Sequence, residues 1–259
     1  MSTFTPRPGS APLARQVAAQ ARMEARLMLR NGEQLLLALV IPVIVLVGGV
    51  LAAERLGLDL SGHAPVDVLT PGVLALAVMS TAFTSLAIAT GFERRYGVIK
   101  RLGSSPLPRH GLLLGKVLAL LNVVVLQLVV LVVAGLVLGW RPSLDSPLVS
   151  AGSVLLAVAA GTWAFAALGL FVAGVLRAEA TLALANLVYL LLMAGGGVVL
   201  PTSAYGAAAG PISWLPSAAL GDAMRAALVD ARLDGPAILI LLGWGALATL
   251  LTARTFRWE

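Results

Sequence analysis

The stretch LLLGKVLALLNVVVLQLVVLVVAGLVL, residues 112–138, decides the class of fold. A helical crossing of a hydrocarbon core about 30 Å thick needs about 20 apolar residues. This run exceeds that length with one charge, Lys116, close enough to an end for its ammonium to snorkel toward the interface. Uncharged runs of similar character recur at 35–53, 68–92, 149–176, 181–200 and 237–253. The composition agrees: 59% hydrophobic and 12% charged residues and a mean hydropathy of +0.96 leave too little polar surface for a globule in water. The expected fold is all-α, a single polytopic domain over 1–259 with six transmembrane helices.

Lys and Arg are retained on the cytoplasmic side of a membrane. With the amino terminus inside, all but four of the 18 Lys+Arg fall in inner segments, and only Arg55, Arg141, Arg225 and Arg232 lie outside. Seven of the 12 acids, among them Asp67, Asp145, Asp222 and Asp234, fall on the outer side. Both termini are therefore expected in the cytoplasm, with the chain in a bacterial cytoplasmic membrane. The basic balance reports topology and attraction to anionic headgroups, and nucleic acid is not implied. With no cysteine, and with His63 and His110 far apart, neither a disulfide nor a metal centre is expected. The lead-in to the first run holds five arginines and the run itself has full span length, which argues against a cleaved signal peptide.

Residues 1–11 read as a loose tail and 12–31 as an interfacial helix: Arg15, Arg22, Arg26 and Arg30 gather on one arc opposite Leu13, Val17, Ala21 and Met28. Glu24 falls on the apolar arc, as a residue buried against protein would. Pro42 is expected to bend the first span, and Gly48-Gly49, Gly111-xxx-Gly115 and Gly135-xxx-Gly139 to allow close helix contact. Gly195-Gly196-Gly197 closes the fifth span. The apolar, proline-punctuated segment 201–235 then reads as an external re-entrant or surface hairpin with a helix near 217–233, where Asp222 and Arg225 stand three apart.

Ser80, Thr81, Thr84 and Ser85 share one face of the second span. They either line a pathway, together with Asn186, Tyr189 and Met193 of the fifth span, or bond to their own helix and its neighbours, the two readings that Asn122 and Gln127 also invite. The string Gly111 to Val117 is not a phosphate loop, since it has three residues between its glycines and Val117 where a magnesium-binding hydroxyl is required. No span carries an ionisable group at its centre to couple an ion gradient or to catalyse proteolysis. Energy for any transport must arrive from outside the bundle. The charged segment 93–109, ERRYGVIKRLGSSPLPR, is the place it can enter.

Six spans in about 260 residues, a basic lead-in and the pattern Glu93-Arg94-x-x-Gly97-x-x-Lys100-Arg101-Leu102 followed by Ser105-Pro106-Leu107-Pro108-Arg109 resemble the permeases of type-two ABC exporters. The resemblance covers nearly the whole chain, and Trp214-Leu215-Pro216 with Arg225 adds to it. It implies that 93–109 forms a coupling helix seated in an ATP-binding subunit, with Glu93, Arg94, Arg95, Gly97, Lys100, Arg101 and Leu102 at the contact. Arg95 departs from the acidic residue many members carry there. Physically, charged edges suit a soluble partner, Leu102 and Leu107 offer apolar anchors, and Pro106 and Pro108 end the helix. The resemblance also implies no catalysis in this chain, ATP and magnesium held by two copies of an ATPase partner, a second copy of this permease or a related one, and drug-like, antibiotic or lipid-like cargo. The alternatives are a non-transporting membrane anchor or sensor subunit and an ATP-independent carrier.

Overall fold

The computed structural model describes residues 11–30, 32–57, 62–98, 108–143 and 145–255. Its helices are α1 (Leu13–Arg30), α2 (Gly32–Leu56), α3 (Pro65–Met79), α4 (Leu86–Arg95), α5 (Arg109–Val137), α6 (Pro147–Val175), α7 (Ala178–Gly195), α8 (Ala209–Ser213), α9 (Pro216–Leu228) and α10 (Gly235–Thr255). A π-helical turn, Ser80–Ser85, joins α3 to α4, and a 3-10 turn, Thr202–Ala208, precedes α8. No strand occurs among the described residues. Six helices are long and apolar enough to cross a membrane: α2, the continuous α3 to α4, α5, α6, α7 and α10.

Local chemistry sets where the spans begin and end. Pro65, Pro147 and Pro216 each occupy the first turn of a helix, where the missing N–H costs nothing and the ring presets φ. Asp234 starts α10 by accepting the Ala237 N–H at 3.1 Å. Gly139 takes φ +91 just past the end of α5, so it closes that helix, whereas the sequence pattern assigned it to helix contact. Gly115 and Gly135 do mark contacts: a Cβ on Gly115 would lie 2.7 Å from Gln20 of α1, and one on Gly135 2.8 Å from Thr70 of α3.

The second span is the centre of the bundle. Nearly every residue of α3 is buried, packed by α2, α5, α6 and α9, while α2 and α7 keep broad apolar faces exposed. The segment after α7 is integral to this core. Helix α9 is buried along almost its whole length against α3, α6 and α10. It stops at Leu228, short of the expected 233, because Ala231 enters the left-handed region at φ +50 and the Arg232 N–H turns back to the Ala226 carbonyl. The fifth span likewise ends at Gly195, before the expected 200, where the three glycines begin.

One side chain makes that early ending tolerable. Beyond Gly195 the backbone is no longer helical, yet Gly196, Gly197 and Val198 are buried. Arg225 of α9 donates to the carbonyls of Gly197 at 2.8 Å, Val198 at 3.1 Å, Val199 at 3.3 Å and Leu200 at 3.4 Å, and it pairs with Asp222 at 2.8 Å. Burial pulls the Arg225 pKa down and Asp222 draws it back up, but a guanidinium stays charged through such a shift. Gly72 of α3 backs this arrangement, since a Cβ there would stand 2.5 Å from the Val199 carbonyl and 2.9 Å from the guanidinium.

Arg225→Met leaves four carbonyls without this donor and Asp222 with Thr202 alone, and is expected to destabilise the fold by about 3–5 kcal/mol. Asp230→Asn, which breaks the exposed pair with Arg232, is expected to cost about 1 kcal/mol or less. Thermal unfolding of the purified variants in detergent checks both.

Candidate functional site

One end of the bundle gathers α1, the end of α4, the start of α5 and the turn between α6 and α7. These are the segments that the charge bias groups on one side. The segment 93–109 belongs to this end, of which residues 93–98 and 108–109 are described. Lys100, Arg101 and Leu102 lie outside the described residues.

Lys116 organises this end. Its side chain is only 5% exposed, and its ammonium contacts a Glu93 carboxylate oxygen at 2.6 Å and Glu24 at 2.9 Å. The expected snorkelling is therefore replaced by an ion-pair cluster inside protein. Gln20 donates to Glu24 at 2.9 Å from one turn earlier in α1. Glu24 thus occupies the protein-facing side of α1, as its position on the apolar arc indicated. Val17 and Ala21 are buried on the same side, and the four arginines face away from it. The apolar arc of α1 is largely taken up by α5.

Glu93 and Arg94 turn toward the bundle. Arg94 donates to the carbonyls of Ala173 at 2.6 Å and Leu176 at 2.9 Å, supplying partners that the last turn of α6 lacks. Arg95 points outward, pairs with Glu179 at the start of α7, and lies 5.8 Å from the ring of Tyr96. Tyr96 is well exposed and stacks on Phe92. Gly97 follows at φ +69, the left-handed conformation that ends α4 and redirects the chain. The exposed chemistry at this root is therefore Arg95 and Tyr96. Spacing along a sequence does not tell an inward from an outward charge at a helix end, and Arg94 finds its partners about 80 residues away.

The expected polar stripe is divided. Its residues lie in the π-helical turn, where i→i+5 bonding widens the helix and the angular reckoning of an α-helix no longer applies. Thr81 is buried and donates to Gln127 of α5 at 2.6 Å, so these two join helices. Ser80 is half-buried and lies beside the buried Tyr189 of α7. Thr84 and Ser85 are half-buried, Met193 likewise, and Asn186 is exposed on α7. Gly169 of α6 brings that helix close, with a Cβ there falling 2.8 Å from the Phe83 carbonyl. Among the described residues no group of three or more His, Cys, Asp or Glu side chains could hold a metal ion.

A sequence model described as ABC-2 type transporter matches residues 15–229, and the chain belongs to that family. It is a multi-pass membrane protein and a permease component of an ABC transporter, without a nucleotide site of its own. Permeases of this family normally work with an ATPase subunit. No individual curated protein matches the chain.

Lys116→Met is expected to destabilise the protein by about 3 kcal/mol, because Glu24 and Glu93 are left facing each other without a cation. Adding Glu24→Gln and Glu93→Gln to it is expected to recover more than half of the loss. The midpoint of unfolding in detergent for the single and triple variants measures this.

Proposed function

We propose that this permease is the membrane half of an ATP-driven exporter, energised through residues 93–109. Two ATPase subunits carry the nucleotide and magnesium, and a second permease, identical or related, completes the pathway. The membrane is a bacterial cytoplasmic membrane, with both termini and 93–109 inside. The observation that carries this reading is the clamping of both roots of the docking segment: Glu93 at its start and Lys116 just past its end hold one another and Glu24 of α1. Force applied to the loop then acts on the second and third spans and on α1 together, rather than being lost in a hinge. Arg95, Tyr96, Lys100, Arg101 and Leu102 make the contact with the ATPase, while Glu93 and Arg94 hold the root in place.

The broad exposed apolar faces of α2 and α7 support a second permease seated against them. The half-buried Ser80, Thr84, Ser85 and Met193, the buried Tyr189 and the exposed Asn186 lie in the second and fifth spans. A pathway of that character is mostly apolar with scattered hydroxyls, which suits an amphiphilic, drug-like or lipid-like cargo better than a small ion.

The test is affinity purification from the native membrane in mild detergent. ATP hydrolysis is expected to co-purify and to respond to lipophilic cargo, and Lys100→Glu with Arg101→Glu is expected to reduce the recovered turnover at least tenfold. A stable complex whose turnover ignores every cargo favours the anchor subunit instead. Because the chain has no cysteine, single Cys probes report the orientation: Lys100→Cys is expected to react only from the cytoplasmic side and Asp145→Cys only from outside, in intact cells and inverted vesicles.

A further inference from the structure

The clearest cavity in the structure is separate from both regions above. It has a volume of about 690 Å³, within the range of small-molecule sites, and lies between α10 and the segment formed by α8 and α9. One wall is a continuous stripe of α10: Pro236, Leu239, Ile240, Gly243, Trp244 and Leu247, at the three- and four-residue spacing of a single helix face. The other wall comprises Ser213, Trp214, Ala219 and Asp222. The walls are tied together by the Trp244 indole N–H, which donates to the Trp214 carbonyl at 2.9 Å.

Length and polarity point to one kind of occupant. From Pro236 to Leu247 the α10 wall rises by roughly 16 Å, at about 1.5 Å per residue, close to the thickness of one leaflet's hydrocarbon. Its ionisable groups, Asp222 and Asp234, include no base. Asp234 stands immediately before α10, at the end where that helix emerges from its span. Asp222 is committed to Arg225 and Thr202. Asp234 receives the Ala237 N–H on one oxygen, and its second oxygen takes no hydrogen bond from the described residues. The positive end of α10 is thus already answered by a carboxylate, and an anionic head there would be repelled by Asp234. An ammonium would instead meet the free oxygen of Asp234, while Trp214 and Trp244, tied to one another further along the groove, would flank the tail. Trp214 is 70% exposed and Leu239 69% exposed, which opens the groove sideways toward lipid.

We propose that this groove binds an amphiphile with an ammonium head, its hydrocarbon tail lying along α10 and its nitrogen at Asp234. Two sources share that chemistry: an aminophospholipid of the leaflet and a free cationic amphiphile. The site depends on none of the residues assigned to docking or to the pathway, and binding is measurable without ATP or transport.

Gly243 provides a clean test, because a Cβ added there meets nothing within 4 Å. Gly243→Leu sends a side chain into the groove from a position where its Cβ has open space. Asp234→Asn removes the charge, and an amide remains able to cap α10. The full chain, in nanodiscs of phosphatidylcholine, is photolabelled with hexadecylamine bearing a diazirine in its tail, and the adducts are mapped by peptide mass spectrometry. Labelling is expected within 211–222 and 236–247, about tenfold above that by the same chain with a phosphate head. Gly243→Leu is expected to reduce it about tenfold with an unchanged unfolding temperature. Asp234→Asn is expected to weaken amine labelling about fivefold and to erase most of the preference over phosphate.

Native mass spectrometry of chain purified from membranes containing phosphatidylethanolamine separates the sources. Retention of that lipid by wild type but not by Gly243→Leu identifies the lipid. Groove-specific amine labelling with no retained lipid identifies a free amphiphile. Equal labelling by the phosphate probe, undiminished labelling of Gly243→Leu, or adducts confined to other segments overturns the proposal.

Discussion

Hydrocarbon offers no hydrogen-bond partner, so a charge or an open carbonyl within the bundle must be answered by protein. Two side chains carry that constraint here. Arg225 answers the unwound backbone between Gly197 and Leu200, where the fifth span gives out beside the fully packed second span. Lys116, just inside the third span, is answered by Glu24 and Glu93. The first arrangement knits the segment after α7 into the core, and the second joins three helices at the opposite end. Both depend on glycines that let backbones approach, Gly72 beside Arg225 and Gly115 beside Gln20. Between these ends the spans pack by apolar contact, with Thr81 and Gln127 as a buried hydrogen bond across the middle.

The six spans were legible because length and apolarity are properties of a run of residues, independent of what the run touches. Their ends were less so. The fifth span stops at Gly195 although apolar residues continue to Leu200, since three glycines favour leaving the helix once Arg225 can take the freed carbonyls. Glu24 could be read as buried because a carboxylate on an apolar arc needs a protein partner to be stable there. The identity of that partner could not, since nothing in the run 112–138 shows that Lys116 meets α1 rather than water. The same limit applies at the end that carries 93–98, where Glu93, Arg94 and Arg95 are adjacent in sequence but divide between inward and outward faces. The stripe from Ser80 to Ser85 was reckoned on an α-helix, and the π-helical turn redirects Thr81 to Gln127.

In the proposed reading, a permease without a nucleotide site converts an external push into a change of the membrane path. That requires the receiving segment to be stiff at its base. Glu93, Lys116 and Glu24 supply the stiffness, and Arg94 extends it to the end of α6. The opposite end is separately braced by Arg225 and by the Trp244 tie to Trp214. Motion is then easiest where such ties are fewest, along the exposed faces of α2 and α7 that a second permease would cover.

The central claim is that energy enters from a partner at the end of the bundle that carries 93–98. A pulsed-EPR distance between nitroxides on Tyr96→Cys and Asn186→Cys, both exposed in the structure, tests it most directly in this cysteine-free chain. The account predicts a shift in that distance when ATP is trapped in the purified complex, and none when ATP is added to the permease alone. A response of the isolated chain to ATP, or a complex whose distance is indifferent to ATP, would contradict it.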